Sequence, residues 1–154
     1  MKPLLTNNMT HRVVTVKRNV KAHEAQAIMR NQLIRHLPVV DEQGELVLGM
    51  LSDRDLLRSP HPDKPVYELM SSPILSFDIN TPMLVVASAM VERKMSAFLV
   101  TNDNEIEGIV TSEDLILLLI DILKKEPSPK WILSDFLVNP MMQKVMSAAT
   151  PAGY

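Results

Sequence analysis

The chain has 154 residues, 46% of them hydrophobic, enough for one ordinary domain or for two small repeats that share a core. A net charge of -2 and a pI near 6.1 exclude the basic surface with which a duplex nucleic-acid binder displaces counterions. Zero cysteines exclude disulfides, thiolate catalysis and cysteine zinc sites, and Met1 to Thr10 lacks the apolar core of a signal peptide, so a cytoplasmic protein is expected.

In chain order, Val13-Val14-Thr15-Val16 predicts a short β-branched strand and Lys17 to Lys21 a polar connection. A helix follows, with Ala22, Ala25, Ala27, Ile28, Met29 and Leu33 on its apolar side and Lys21, Glu24, Gln26 and Arg30 facing water. Leu37-Pro38-Val39-Val40 predicts a buried strand with proline near its start, where a missing amide does little harm. The turn Asp41 to Gly44 leads into a strand over Leu46 to Leu51, closing a hairpin, and a helix begins at Ser52. Three prolines in Ser59 to Pro65 predict an extended linker, followed by a short helix over Val66 to Met70.

The same order then recurs: a strand over Ile74 to Phe77, a helix from about Pro82 to Lys94, a strand over Ala97 to Val100, a turn over Thr101 to Asn104, a strand over Glu105 to Val110 and a helix from Thr111. Met9-Thr10, Thr15 and Met29 match Met70-Ser71, Ser76 and Met90 at a spacing of 61, while Pro38, Gly49 and Asp55 match Ala97, Gly108 and Asp114 at 59. On this alignment the second copy has lost two residues between its helix and its next strand. The fold class is α/β (α+β), two strand-helix-strand-strand-helix repeats. Neither repeat buries a sufficient core alone, so the two are expected to face each other sheet to sheet. The organisation expected is a first repeat over 1–58, a linker over 59–65, a second repeat over 66–125 and a tail over 126–154.

One stretch occurs in both repeats: Gly-Met-Leu-Ser-Asp-Arg-Asp at Gly49 to Asp55 and Gly-Ile-Val-Thr-Ser-Glu-Asp at Gly108 to Asp114. Each sets a hydroxyl where a strand enters a helix and an acid three residues on. Ser52 and Thr111 suit the N-cap, and Asp55 and Asp114 suit the positive end of the helix dipole.

With Leu-Pro-Val-Val-Asp at Leu37 to Asp41, these duplicated motifs and the element order resemble a tandem pair of CBS domains, a Bateman module, over about Met9 to Lys125. The resemblance implies a pseudo-twofold pair with two clefts that bind adenosine-containing ligands, the acid accepting from ribose hydroxyls and the serine or threonine meeting ribose or phosphate. Those roles fall on Asp55 with Ser52 and on Asp114 with Thr111, and Ser112 is a further candidate contact. A vicinal diol offers two donors to one carboxylate, which agrees with this. The remaining wall is expected from Thr15-Val16 and Ser76-Phe77 of the first strands and from His36-Leu37-Pro38 and Ser96-Ala97-Phe98 of the central ones. Taken singly, Val16, Leu37 and Phe98 are better accounted for by core packing. Which first strand accompanies which aspartate is open at this level.

The copies differ between hydroxyl and acid. The first has Asp53-Arg54, and Arg54, with Arg35, His36 and Arg58 near, would meet phosphate through charge-assisted hydrogen bonds of about 1.5 to 3 kcal/mol each. The second has Ser112-Glu113, whose acid would repel phosphate; the alternative is that Arg54 and Glu113 are solvated helix residues. The ligand expected is therefore a regulatory adenine nucleotide (AMP, ADP or ATP), with S-adenosylmethionine or NAD as alternatives and no required cofactor. The role expected is energy sensing or control of assembly.

The run Leu115 to Ile120, with Ile122-Leu123, is too short to span a bilayer and predicts a helix buried partly in the core and partly in an oligomer contact, for which the resemblance implies a homodimer. Beyond Lys125, Trp131-Ile132-Leu133 and Phe136-Leu137-Val138 suggest a docking arm for another protein or for the module itself. No metal spacing among His11, His23, His36 and His61, no glycine-rich phosphate loop and no nucleophile motif is present, so a binding protein is expected and not an enzyme. The other reading is a ligand-independent dimerisation scaffold.

Overall fold

The computed structural model describes residues 3–59, 61–103 and 105–125. The chain divides into two compact units, Met1–Leu117 and Leu118–Tyr154. Both sheets lie in the first, and the arm around Trp131 lies outside the described residues.

The first repeat comprises β1 (Val16–Lys17), α1 (Ala22–Gln32), β2 (His36–Val40), β3 (Val47–Ser52) and α2 (Asp53–Arg58). The second comprises β4 (Ser76–Asp78), α3 (Met83–Arg93), β5 (Ala97–Asn102), β6 (Glu105–Thr111) and α4 (Ser112–Lys125). Each builds a three-stranded sheet in which the first strand runs parallel to the second and the second pairs with the third as an antiparallel hairpin. A single turn of 3-10 helix precedes each repeat, at Leu5–Asn7 and at Val66–Glu68.

The strands explain their own burial. Along β2, Leu37 and Val39 point into a core with Ala25 and Met29 of α1, while Met50 of β3 turns to the opposite face and meets Ala97, Leu99 and Ile109 of the second sheet. Sheet faces sheet through this second cluster, as period-two alternation requires. With apolar matter on both faces, β2 is apolar and buried from Leu37 to Val40 instead of alternating.

Four details depart from the sequence reading. Val13 to Thr15 lie outside β1, because the strand begins only where Val16 finds its parallel partner Val39. Leu33 is not on the apolar side of α1; it ends the helix in the left-handed region at φ 55° and is 88% exposed. The two-residue deletion is in the hairpin, not between helix and strand. The left-handed helix ends Leu33 and Lys94, the strand starts His36 and Ala97, and Val39 and Val100, the partners of Gly49 and Gly108, all keep the spacing of 61. Only past the turn does the spacing fall to 59, the first turn being built around Asp41, whose Oδ1 accepts from the amides of Gly44, Glu45 and Leu46. These amides, Leu46 foremost, hold the Asp41 carboxyl below the usual carboxylate range. Finally, among the described residues α4 contributes no buried side chain, Ile116 and Leu117 being 55% and 64% exposed, so the share of core expected of it is not seen there.

The segment leading into each repeat is bound to the other repeat. Before the first, the amides of Leu5 and Thr6 donate to the carbonyls of Thr81 and Ile79, that of Met83 donates to Pro3, and Thr10 bridges Ile109 of β6. Before the second, Val66 and Tyr67 donate to Val20 and Arg18, Ala22 donates to Lys64, and Ser71 bridges Met50 of β3. The two sets correspond residue for residue at the spacing of 61, except Met50 and Ile109, which lie past the hairpin and correspond at 59, and Leu5 and Val66, both fully buried, anchor them. Lys64 to Ser71 is thus an integral part of the first repeat's packing as well as a connection.

Candidate functional site

Both motif acids are bound by the hydroxyl residue three positions before them, and in the first repeat the bond is reciprocated as a full cap. In the first repeat the Ser52 amide and hydroxyl donate to Oδ2 of Asp55, at 2.8 and 2.6 Å, and the Asp55 amide donates back to the Ser52 Oγ at 3.3 Å. In the second, the Thr111 amide and hydroxyl donate to Oδ2 of Asp114, at 2.7 and 2.9 Å. Among the described residues neither carboxylate uses its Oδ1. One oxygen of each acid fixes the side chain and the other is left to accept.

Each acid borders a cleft between the repeats. The Asp55 cleft, a cavity of about 150 Å³, takes Met50, Ser52, Arg54 and Arg58 from the first repeat. Lys94 to Ala97, from the end of α3 to the start of β5, and Ser71, from the segment leading into the second repeat, complete it. The Asp114 cleft, about 220 Å³, takes Ile109, Thr111, Glu113 and Leu117 from the second repeat, with Thr10, Arg12, Val13 and Val14, and Leu33 to His36 and Pro38 from the first. The question left open by sequence is thereby answered: Asp55 is accompanied by the approach to β4, and Asp114 by the approach to β1.

The glycine of each motif permits this. A Cβ on Gly49 would lie 2.6 Å from the Ser71 carbonyl oxygen, and one on Gly108 would lie 2.6 Å from that of Thr10. Neither glycine has a positive φ, so close approach of another backbone, not conformational freedom, is what requires it.

His36 lines both clefts. Its Nε2 is 3.0 Å from the Ser96 Oγ, a hydrogen bond between the two repeats. Two backbone bonds flank it: the Asp53 amide donates to the Arg35 carbonyl and the Ser112 amide to the Ser96 carbonyl. The residues just before the central strands therefore also hold the first turns of α2 and α4. Burial lowers the His36 pKa below that of a free imidazole; Asp53 and Asp55 oppose this and Arg35 and Arg54 add to it.

Of the expected residues, His36, Ser52, Arg54, Asp55, Ser96 and Ala97 meet around the Asp55 cleft, and His36, Pro38, Thr111 and Asp114 around the other. Seven line neither. Val16, Leu37 and Phe98 are 3%, 0% and 1% exposed and belong to the core, where Phe98 stacks edge-on to Phe77 with ring centroids 5.0 Å apart. Thr15 and Ser76 are exposed outside both clefts, and Ser112 enters through its backbone. Arg35, expected with Arg54, lines the Asp114 cleft, with its Nη2 3.9 Å from the Glu113 Oε1. Sequence reading missed Thr10, Arg12, Ser71, Lys94 and Met95. The matched pairs Met9-Thr10 and Met70-Ser71 carried the signal for two of these.

The CBS domain pattern matches residues 5–61 and again 66–121, so the chain belongs to the CBS domain family and carries two copies of the domain. It is 33% identical over 114 residues to the CBS domain-containing protein YhcV of Bacillus subtilis, covering 71% of this chain and 80% of that one. It is also 28% identical to the uncharacterized protein MJ1404 of Methanocaldococcus jannaschii over 138 residues, 78% of this chain but 32% of that protein, so it spans about a third of that relative. Among solved structures, it is similar to the CBS domain pair of protein MJ0100, in complex with 5-methylthioadenosine and S-adenosyl-L-methionine, with TM-score 0.72 and 27% identity, over 79% of this chain and 99% of that one. An uncharacterized conserved protein from Pyrococcus horikoshii gives TM-score 0.71 and 27% identity over 77% of this chain and 93% of that one. Within the described residues no helix is long and apolar enough to cross a membrane.

Proposed function

We propose that this CBS pair is a regulatory module that binds adenosine-containing ligands in its two clefts, through Asp55 with Ser52 and through Asp114 with Thr111, and is not itself an enzyme. The observation that carries the reading is the state of the two acids. Each is locked by two donors on one oxygen and keeps the other oxygen free at the edge of a cavity, an arrangement suited to a ribose diol. Because the cap has already fixed the carboxylate, a ligand spends little on ordering it. The adenosyl compounds held by the MJ0100 pair, over nearly its whole length, support the same ligand class.

Binding influences a partner or an assembly only if the ligand prefers one conformational state over another. A homodimer through the exposed apolar side chains of α4 is the assembly we favour, in the cytoplasm. The test is calorimetry and thermal shift with AMP, ADP, ATP, 5-methylthioadenosine, S-adenosylmethionine and NAD on the wild type, Asp55→Asn and Asp114→Asn. A ligand at a hundred times its Kd stabilises the fold by about 2.7 kcal/mol, so a working cleft registers and the matching variant loses it. A second reading has its own support, since the caps alone account for Ser52, Asp55, Thr111 and Asp114: a scaffold that dimerises without ligand. No shift with any of the six compounds, on folded protein free of copurified ligand, would establish that reading.

A further inference from the structure

The side chains around the two clefts differ in charge more than the motifs do. The Asp55 cleft has three cations, Arg54 and Arg58 from one face of α2 and Lys94 from the helix end on the other repeat, against the single carboxylate of Asp55. Among the described residues none of the three is in an ion pair, so all are free to meet an anion. Arg54 and Arg58 are one helical turn apart and so are neighbours. Lys94 faces them from the opposite lip, held there because it closes α3 in the left-handed region at φ 56°. The Asp114 cleft is balanced: Arg12 and Arg35 against Glu113 and Asp114, with Arg35 3.9 Å from the Glu113 carboxylate. Its remaining wall includes the apolar Val13, Val14, Ile34 and Leu117.

We infer that the clefts sort adenosine ligands by charge: the Asp55 cleft takes a nucleoside di- or triphosphate, and the Asp114 cleft takes an adenosyl compound without phosphate. The inference rests on the reading of both as nucleoside clefts. A phosphate chain leaving the ribose on Asp55 meets cations from both repeats, each phosphate–guanidinium contact being charge-assisted and bidentate in its best geometry. The same chain on Asp114 meets the Glu113 carboxylate next to the ribose site, and breaking the Arg35–Glu113 pair to accommodate it exposes one charge for each gained. A thioether or unsubstituted adenosyl group makes no such demand and suits the apolar wall. Lys94 is the specificity-determining residue that the motif does not contain, and it links ligand charge to the contact between repeats.

The experiment is isothermal calorimetry with adenosine, AMP, ADP, ATP and 5-methylthioadenosine, on the wild type, Lys94→Gln, Lys94→Glu, Arg58→Glu and the two aspartate variants, at two salt concentrations. Expected is a rise of tenfold or more in affinity from adenosine to ADP, lost in Asp55→Asn, reduced about tenfold in Lys94→Glu and weakened by salt. 5-Methylthioadenosine is expected to bind with little salt dependence and to be lost in Asp114→Asn only. Lys94→Gln removes the charge with the smallest change of shape, and its response to 5-methylthioadenosine reports whether the fold is intact. If ADP and adenosine bind the Asp55 cleft equally, or if ADP affinity is the same in both Lys94 variants as in the wild type, the charge sorting is overturned while the nucleoside reading stands. If none of the five compounds binds, both fail together.

Discussion

His36 shows what a single residue contributes here and how little of that is visible in sequence. Its neighbours in the chain, Arg35 and Leu37, go to one cleft and to the core, while His36 itself borders both cavities and its ring meets Ser96 across the repeats. Replacing it with alanine is expected to weaken binding in both clefts several-fold, whereas Ser96→Ala affects only the Asp55 cleft; titrating one ligand for each cleft distinguishes them. The ring also predicts a pH effect. Its pKa is lowered in the folded chain, so the unfolded state binds more protons as the pH falls past the free-imidazole value. Stability is therefore full above that value, declines below it, and stops declining once the pH passes the lowered folded pKa. Thermal melts across this window are expected to show a smaller loss for His36→Gln than for the wild type. At this scale the sequence named both acids, both caps and His36, because a hydroxyl three residues before an acid at a helix start is a local pattern. It missed Lys94 and Met95, because which helix end faces which motif is a long-range matter with no local signature.

Elements were legible wherever local chemistry decides them. The helix α3 is entered through Pro82 and ended at Lys94 as its pattern suggested, and the hairpin β2–β3 was evident from the turn at Asp41 to Gly44. The first strand was misplaced because its β-branched run, Val13 to Val16, finds a partner only at its end; extended chain and paired strand look alike until the pairing is known. The deletion was misplaced because proline-to-alanine matching ignored register, which only the Val39–Gly49 and Val100–Gly108 pairs reveal. Those two glycines give the prediction proper to this scale. Gly49→Ala and Gly108→Ala force a methyl against a backbone carbonyl that cannot yield as a side chain would, so each is expected to cost about 1 to 3 kcal/mol in denaturant melts. The losses should also be local: Gly49→Ala displaces Ser71 and weakens the Asp55 cleft, and Gly108→Ala displaces Thr10 and weakens the Asp114 cleft.

At the scale of the whole molecule, the apolar helix that sequence placed partly in the core stays uncovered over the described residues, and its periodicity did not reveal this because a run apolar on every side reads the same whether its cover is its own chain or another. Ile116→Lys, on a side chain 55% exposed, is expected to leave the melting temperature of a dilute sample nearly unchanged and to shift gel filtration toward the 17.3 kDa monomer. A concentration-independent monomer in the wild type would remove the dimer from consideration. The mutual binding of the two lead-in segments has a separate consequence. Residues 3 to 10 are bonded to the second repeat and residues 64 to 71 to the first, so the stretch that joins the repeats is not what keeps them together. A protease that nicks the chain just after Ser59 should leave two peptides that elute as one body, each carrying the piece its counterpart lacks. Neither expressed by itself should fold, and mixing the two should restore the complex.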